Sequence, residues 1–152
     1  MQTTAERFRT AVDKHDLAAL DALFTDDIRF YSPVKFTPFE GKPMVLGLFE
    51  VLLRTFEDFH YIGHFEGAAE TGGSGGTRGT DGEAPAVILP FRAVVRGKRI
   101  HGIDQLHFDE AGLIREFTVM VRPQSAVQAL GEAVYAGLVA LGLAPEQTPT
   151  PR

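Results

Sequence analysis

The chain has 152 residues, 44% hydrophobic and 23% charged, values ordinary for one soluble globular domain with a sizeable core. A net charge of -5, with no basic patch or arginine-rich segment, argues against a nucleic-acid or anionic-membrane partner. Zero cysteines exclude disulfides, thiolate metal ligation and a cysteine nucleophile.

The N-terminal residues carry neither a basic nor an apolar leader pattern, and no uncharged run reaches the ~20 residues of a membrane span. A cytoplasmic location is the expectation. Thr3-Thr4-Ala5-Glu6 has the form of a capping box, so a first helix is expected to run to about Lys14 with Phe8 and Val12 on one face. Asp16 caps a second, short helix bearing Leu17, Leu20, Leu23 and Phe24, which Thr25-Asp26-Asp27 ends. Ile28 to Ser32 alternates as a strand, and Pro33 stops it by removing a backbone donor.

Lys42 to about Glu57 is apolar around most of a helical circumference, the mark of a helix buried on more than one side. Phe59 to Glu66 reads as a strand. Residues 67–84 form a glycine-rich stretch with almost nothing apolar, read as a flexible loop that matches no phosphate-cradling motif. Ala86 to Arg96 is a strand with Leu89, Phe91, Ala93 and Val95 on one face, and Gly97-Lys98 turns it into the next. Asp109-Glu110-Ala111-Gly112 makes another hairpin into a strand from Leu113 to Arg122, with Phe117, Val119 and Val121 together. Ser125 to Leu141 is a small-residue helix, and a disordered tail is expected over 145–152.

Asp104 breaks the pattern of its strand. Alternation from Ile100 to Phe108 puts it on the face of Ile100, Leu106 and Phe108, while His101, Gln105 and His107 face the other way. A carboxylate among apolar side chains must be hydrogen-bonded, paired or held protonated. Two readings stay open: an acid/base group in a cavity, or a structural acid accepting from backbone donors or from a tyrosine, with Tyr31 and Tyr61 as candidates. His60 and His64 share one strand face and His101 and His107 another, but no metal-ligand spacing accompanies them, so a metal is not expected.

The order of these elements, with Asp16-Leu17-Ala18-Ala19-Leu20, Leu23-Phe24-Thr25-Asp26-Asp27-Ile28, Ser32-Pro33-Val34, Glu40-Gly41 and Ile103-Asp104-Gln105-Leu106-His107-Phe108-Asp109-Glu110-Ala111-Gly112-Leu113-Ile114, resembles the nuclear-transport-factor-2-like superfamily. Within it the chain is similar to the SnoaL-like polyketide cyclase and ketosteroid isomerase branch, over about residues 3–122. The resemblance implies an α+β cystatin-like fold: a cone-shaped, curved, antiparallel-rich sheet wrapped around N-terminal helices, here with an extra C-terminal helix, as one domain over 1–144. It implies a greasy pocket for a small hydrophobic molecule, lined by Phe8, Val12, Phe49, Leu53 and Phe56 from helices and by Phe30, Ser32, Tyr61, Phe91, Leu106, Phe117 and Val119 from strands.

By the same resemblance Asp104 takes the place of the strand Asp of ketosteroid isomerases, an enzyme that also serves as a general example of a carboxylic acid kept neutral by its apolar site. The base position of those enzymes falls on Ser32 and their helix tyrosine on Phe8, so two of the three functional groups are missing. The limonene epoxide hydrolase branch places an Arg where this chain has Gly102. SnoaL-like cyclases, by resemblance, manage with one strand Asp as acid/base. The implied function is an isomerase or cyclase using Asp104, without a cofactor; the alternatives are a non-catalytic ligand-binding module and a protein-interaction domain. The resemblance also implies a homodimer through the outer sheet face, where Val94, His101, Ile103 and Met120 fall on outward parities.

Overall fold

The computed structural model describes residues 2–72 and 83–146. The expected disorder of 145–152 lies mostly outside these residues, as does the centre of the 67–84 stretch. Among the described residues there are four helices, α1 (Thr4–Asp13), α2 (Leu17–Leu23), α3 (Lys42–Thr55) and α4 (Gln124–Ala140). Seven strands accompany them: β1 (Phe24–Tyr31), β2 (Phe39–Glu40), β3 (Glu57–Tyr61), β4 (Phe65–Glu70), β5 (Glu83–Val95), β6 (Lys98–Phe108) and β7 (Ile114–Arg122).

The strands form one open sheet in the order β2-β1-β7-β6-β5-β3, with β4 also paired to β5. β1 runs parallel to β7, while the other pairings are antiparallel. The helices pack on the inner face of this sheet, and a core of apolar side chains from both layers fills the space between.

Local chemistry explains most boundaries. The Thr3 hydroxyl accepts from the Glu6 amide and the Glu6 carboxylate accepts from the Thr3 amide, closing the capping box on α1. Asp16 caps α2 by accepting from the Ala19 amide at 3.0 Å. Thr25-Asp26-Asp27 does not form a break after α2: β1 starts at once, at Phe24, because Phe24 is buried and pairs with Ile114 of β7.

Three other expectations are corrected. The strand expected over 59–66 is two strands separated by Ile62-Gly63-His64, both lying along β5. The break falls beside Pro90, which has no N–H to offer the neighbouring strand, and Gly63 packs against its ring. The loop expected over 67–84 is strand at both ends: β4 reaches Glu70 and β5 starts at Glu83, in register Glu70↔Glu83. Third, the β5–β6 turn is Arg96-Gly97, one residue earlier than expected, with both residues at positive φ (49° and 77°) as a two-residue hairpin of primed type requires.

The outer sheet face is also drier at one corner than alternation implies. His107 is only 2% exposed and Glu116, its cross-strand partner, 5%. A register shift between His107 and Phe108 and the segment around 69–72 account for this: Nε2 of His107 lies 3.1 Å from the Ala69 carbonyl, and the Gly72 amide donates to Glu116 at 2.9 Å. His107 therefore sits beneath β4 rather than on a solvated histidine face.

Candidate functional site: a carboxyl and a phenol in an apolar cone

Asp104 stands in the middle of β6 on its inner face, with Leu89 of β5 on one side and Val119 of β7 on the other. It is 5% exposed. The hydroxyl of Tyr61, the last residue of β3, donates a 2.7 Å hydrogen bond to its Oδ2. Among the described residues no other group hydrogen-bonds this carboxyl. Of the two tyrosines considered as partners, Tyr61 is therefore the one; Tyr31 lies on the other face with its ring against Gly72.

The electrostatics follow from burial. Desolvation raises the Asp104 pKa from 3.8 to about 7, and the Tyr61 hydrogen bond opposes the rise by favouring the carboxylate. Burial, reinforced by the adjacent carboxyl, lifts the Tyr61 phenol well above its ordinary value, so it stays a donor. Arg9 of α1 lies over the Tyr61 ring, 5.5 Å from its centroid. Near neutrality the pair thus exchanges one proton at Asp104 while Tyr61 remains protonated.

Both groups line a cavity of about 610 Å³ between the sheet and α3 and α4, within the usual size of small-molecule sites. Of the side chains expected to line it, Val12, Phe49, Leu53 and Phe56 of the helical segments do so. Phe30, Ser32, Tyr61, Phe117 and Val119 do so from the sheet and its edge. Phe8, Phe91 and Leu106 do not line it: each is fully buried in the layer behind. The Phe8 ring is wedged among Phe49, Phe117 and Tyr61, with centroids 6.0, 5.3 and 6.4 Å away. Phe91 covers Gly102, where an added Cβ would lie 2.6 Å from the Phe91 ring and 2.7 Å from the Met120 carbonyl. No arginine can stand there; the place is taken.

Ser32, at the base position of the ketosteroid isomerase pattern, lines the cavity but serves its own turn: its Oγ accepts from the amides of Val34 and Lys35, both at 3.3 Å. Several lining residues escaped the sequence reading, among them Leu48, Leu52 and Phe59 beside expected neighbours, and two further kinds. Asp13, His15 and Asp58 are exposed groups at the cavity's edge, and His15 and Asp58 hold positive φ of 51°, a conformation alternation cannot signal. Leu130, Val134 and Leu138 of α4 also line it, and their four-residue spacing was a usable signal. No cluster of three metal-ligating side chains occurs among the described residues.

The architecture is the cystatin-like, nuclear-transport-factor-2-like α+β fold. The chain belongs to the SnoaL-like domain family, whose model matches residues 5–117. A steroid delta-isomerase from Pseudomonas aeruginosa shares 33% identity with a TM-score of 0.74, over 93% of each chain. An uncharacterized protein with a cystatin-like fold from Silicibacter pomeroyi shares 26% identity with a TM-score of 0.76, over 91% of this chain and 87% of that one. An epoxide hydrolase from M. tuberculosis resembling limonene epoxide hydrolase has the same fold at 21% identity and a TM-score of 0.52, over 92% of each chain. No curated protein matches the chain.

Proposed function

We propose that this protein binds a small hydrophobic molecule in the cone and uses Asp104 as the acid/base of an isomerisation or ring closure. The observation that carries the reading is the Tyr61–Asp104 pair, a carboxyl poised near pH 7 in an apolar cavity. As carboxylate, Asp104 takes a proton from a carbon already acidified by neighbouring carbonyls. In a ring closure the resulting enolate carbon bonds to a second carbonyl carbon, whose oxygen becomes an alkoxide and takes the proton back from Asp104. In an isomerisation the same proton returns to a different carbon. Either way the carboxylate is regenerated and nothing is oxidised or reduced. Tyr61 holds Oδ2 and so directs the other oxygen at the ligand.

The likeness to a steroid delta-isomerase supports a fused-ring ketone as the ligand class. In this reading residues 1–144 work as one domain, in the cytoplasm, and pair as a homodimer through Val94, His101, Ile103 and Met120 on the outer sheet face. Met120 is 53% exposed there, a large apolar side chain without cover in the single chain.

A second reading, a ligand-binding module without turnover, is favoured by Ser32, a turn residue where isomerases of this fold carry their base. Conversion of a β,γ-unsaturated steroid ketone to its conjugated isomer, followed by ultraviolet absorbance, separates the two. Turnover that disappears in a folded Asp104→Asn variant supports the enzyme; binding without turnover in the wild type supports the module; turnover undiminished in the variant removes Asp104 from the mechanism.

A further inference from the structure

α4 lies wholly beyond the segment that matches the family, residues 5–117, yet it supplies a wall of the cavity. Leu130, Val134 and Leu138 recur every four residues and form one stripe along the helix. Gly131 and Tyr135 line the cavity beside them. The Tyr135 hydroxyl donates to the Pro145 carbonyl, so this wall turns hydrocarbon toward the cavity.

The wall is also held in place. A Cβ on Gly137 of α4 would lie 2.4 Å from Val51 of α3, and a Cβ on Gly47 of α3 would lie 2.3 Å from Leu143, just past the end of α4. At one glycine α4 receives a side chain of α3, and at another α3 receives one from the residues just beyond α4, so the two segments are closely packed. At Gly131 the added carbon would stand 3.2 Å from Val34, so the loop after β1 abuts the same helix. Arg96 and Glu132 pair at 3.8 Å on the exposed side.

A rigid apolar wall facing a cavity discriminates by volume. We propose that α4 sets the size of ligand the cone accepts, with Val134 as the specificity-determining residue: a ligand anchored by an oxygen on Asp104 lays an extended, apolar, fused-ring body along the Leu130–Val134–Leu138 stripe. This rests on the proposed function, in which Asp104 meets the reacting end of a ligand in the cone, and it adds which part of the protein reads the rest of the molecule. Val134 suits the test because it is half-buried and lines the cavity, whereas Leu130 and Leu138 are buried in the core.

The experiment compares two phenols, 2-naphthol with two rings and estradiol with four, titrated against the full chain and its Val134→Trp and Val134→Ala variants. Filling the wall is expected to lower the ratio of four-ring to two-ring affinity by about thirtyfold, in the range that small volume changes in an apolar pocket produce. Val134→Ala is expected to move the ratio the other way, and as a small truncation it keeps the test alive if the tryptophan variant fails to fold. A ratio unchanged in both variants overturns the proposal, as does an equal fall in both affinities in a folded Val134→Trp. The anchor is read separately, from the pH dependence of either probe. A shifted ratio with pH-independent binding keeps the wall and removes Asp104 as anchor; a constant ratio with pH-dependent binding does the reverse.

Discussion

Tyr61 reaches Asp104 across an intervening strand: β3 and β6 flank β5, whose Phe91 is the register partner of Tyr61 on one side and of Gly102 on the other, and the Tyr61 hydroxyl donates to the carboxyl at 2.7 Å. The Phe91 ring, which a Cβ at Gly102 would meet at 2.6 Å, stands in the strand between the two that carry the pair.

The raised Asp104 pKa has a consequence for stability. The folded chain keeps this proton up to about pH 7, whereas the ordinary carboxyl loses it near 3.8. Between those values the folded state binds more protons than the unfolded one, so this group's contribution to stability falls as pH rises, and the loss is complete above the folded pKa. Asparagine does not ionise. Asp104→Asn should therefore gain on the wild type by about 4 kcal/mol between about pH 4 and about pH 8. Urea unfolding of both proteins at the two pH values measures it; a difference that is flat with pH contradicts the assignment.

Removing the phenol acts in the opposite sense to burial. The Tyr61 hydrogen bond lowers the Asp104 pKa, so Tyr61→Phe should raise it further above 7. If Asp104 works as a carboxylate, the rising limb of kcat/KM against pH should move to higher pH in this variant, with reduced turnover at neutrality. A limb that stays in place would mean that the Tyr61 hydrogen bond does not hold the Asp104 pKa down.

Gly102 is fixed by packing rather than by backbone angle. An added methyl would meet the Phe91 ring at 2.6 Å and the Met120 carbonyl at 2.7 Å, and the carbonyl belongs to the neighbouring strand and cannot rotate away. Gly102→Ala should cost about 2–3 kcal/mol by thermal or urea unfolding, typical of overpacking a filled core. A cost below about 0.5 kcal/mol, the size of an ordinary surface change, would show that β5 yields easily.

Met120 tests the proposed dimer. In an isologous interface each substitution acts twice, so Met120→Glu should convert a dimer to monomer in sedimentation equilibrium at micromolar concentration while leaving the thermal unfolding of each chain little changed. A wild type that sediments only as monomer refutes the interface.

The legible part of this chain was its local chemistry. The Thr3–Glu6 box, the Asp16 cap and the alternation around Asp104 each depend on neighbours within a few residues, and each element stands where those signals put it. Contacts made through the fold were less legible. Inward parity alone could not tell Phe30 and Val119, which border the cavity, from Phe91 and Leu106, which lie behind it, because that depends on which side chain a facing element presses against them. His107 read as outward and is buried, since a register shift and a strand in the glycine-rich stretch cover it. α4 read as a small-residue helix, and its glycines proved to be the points where it meets α3 and the loop after β1.

In the proposed function Asp104 faces the ligand as a group that titrates near neutrality, and the affinity of 2-naphthol against pH tests this most directly. Below the probe's own ionisation, a phenol donates more strongly to a carboxylate than to a neutral acid, so its affinity should rise by about tenfold through pH 7 in the wild type and stay level in Asp104→Asn. Affinity that is level in both proteins, or that rises equally in both, would contradict the claim.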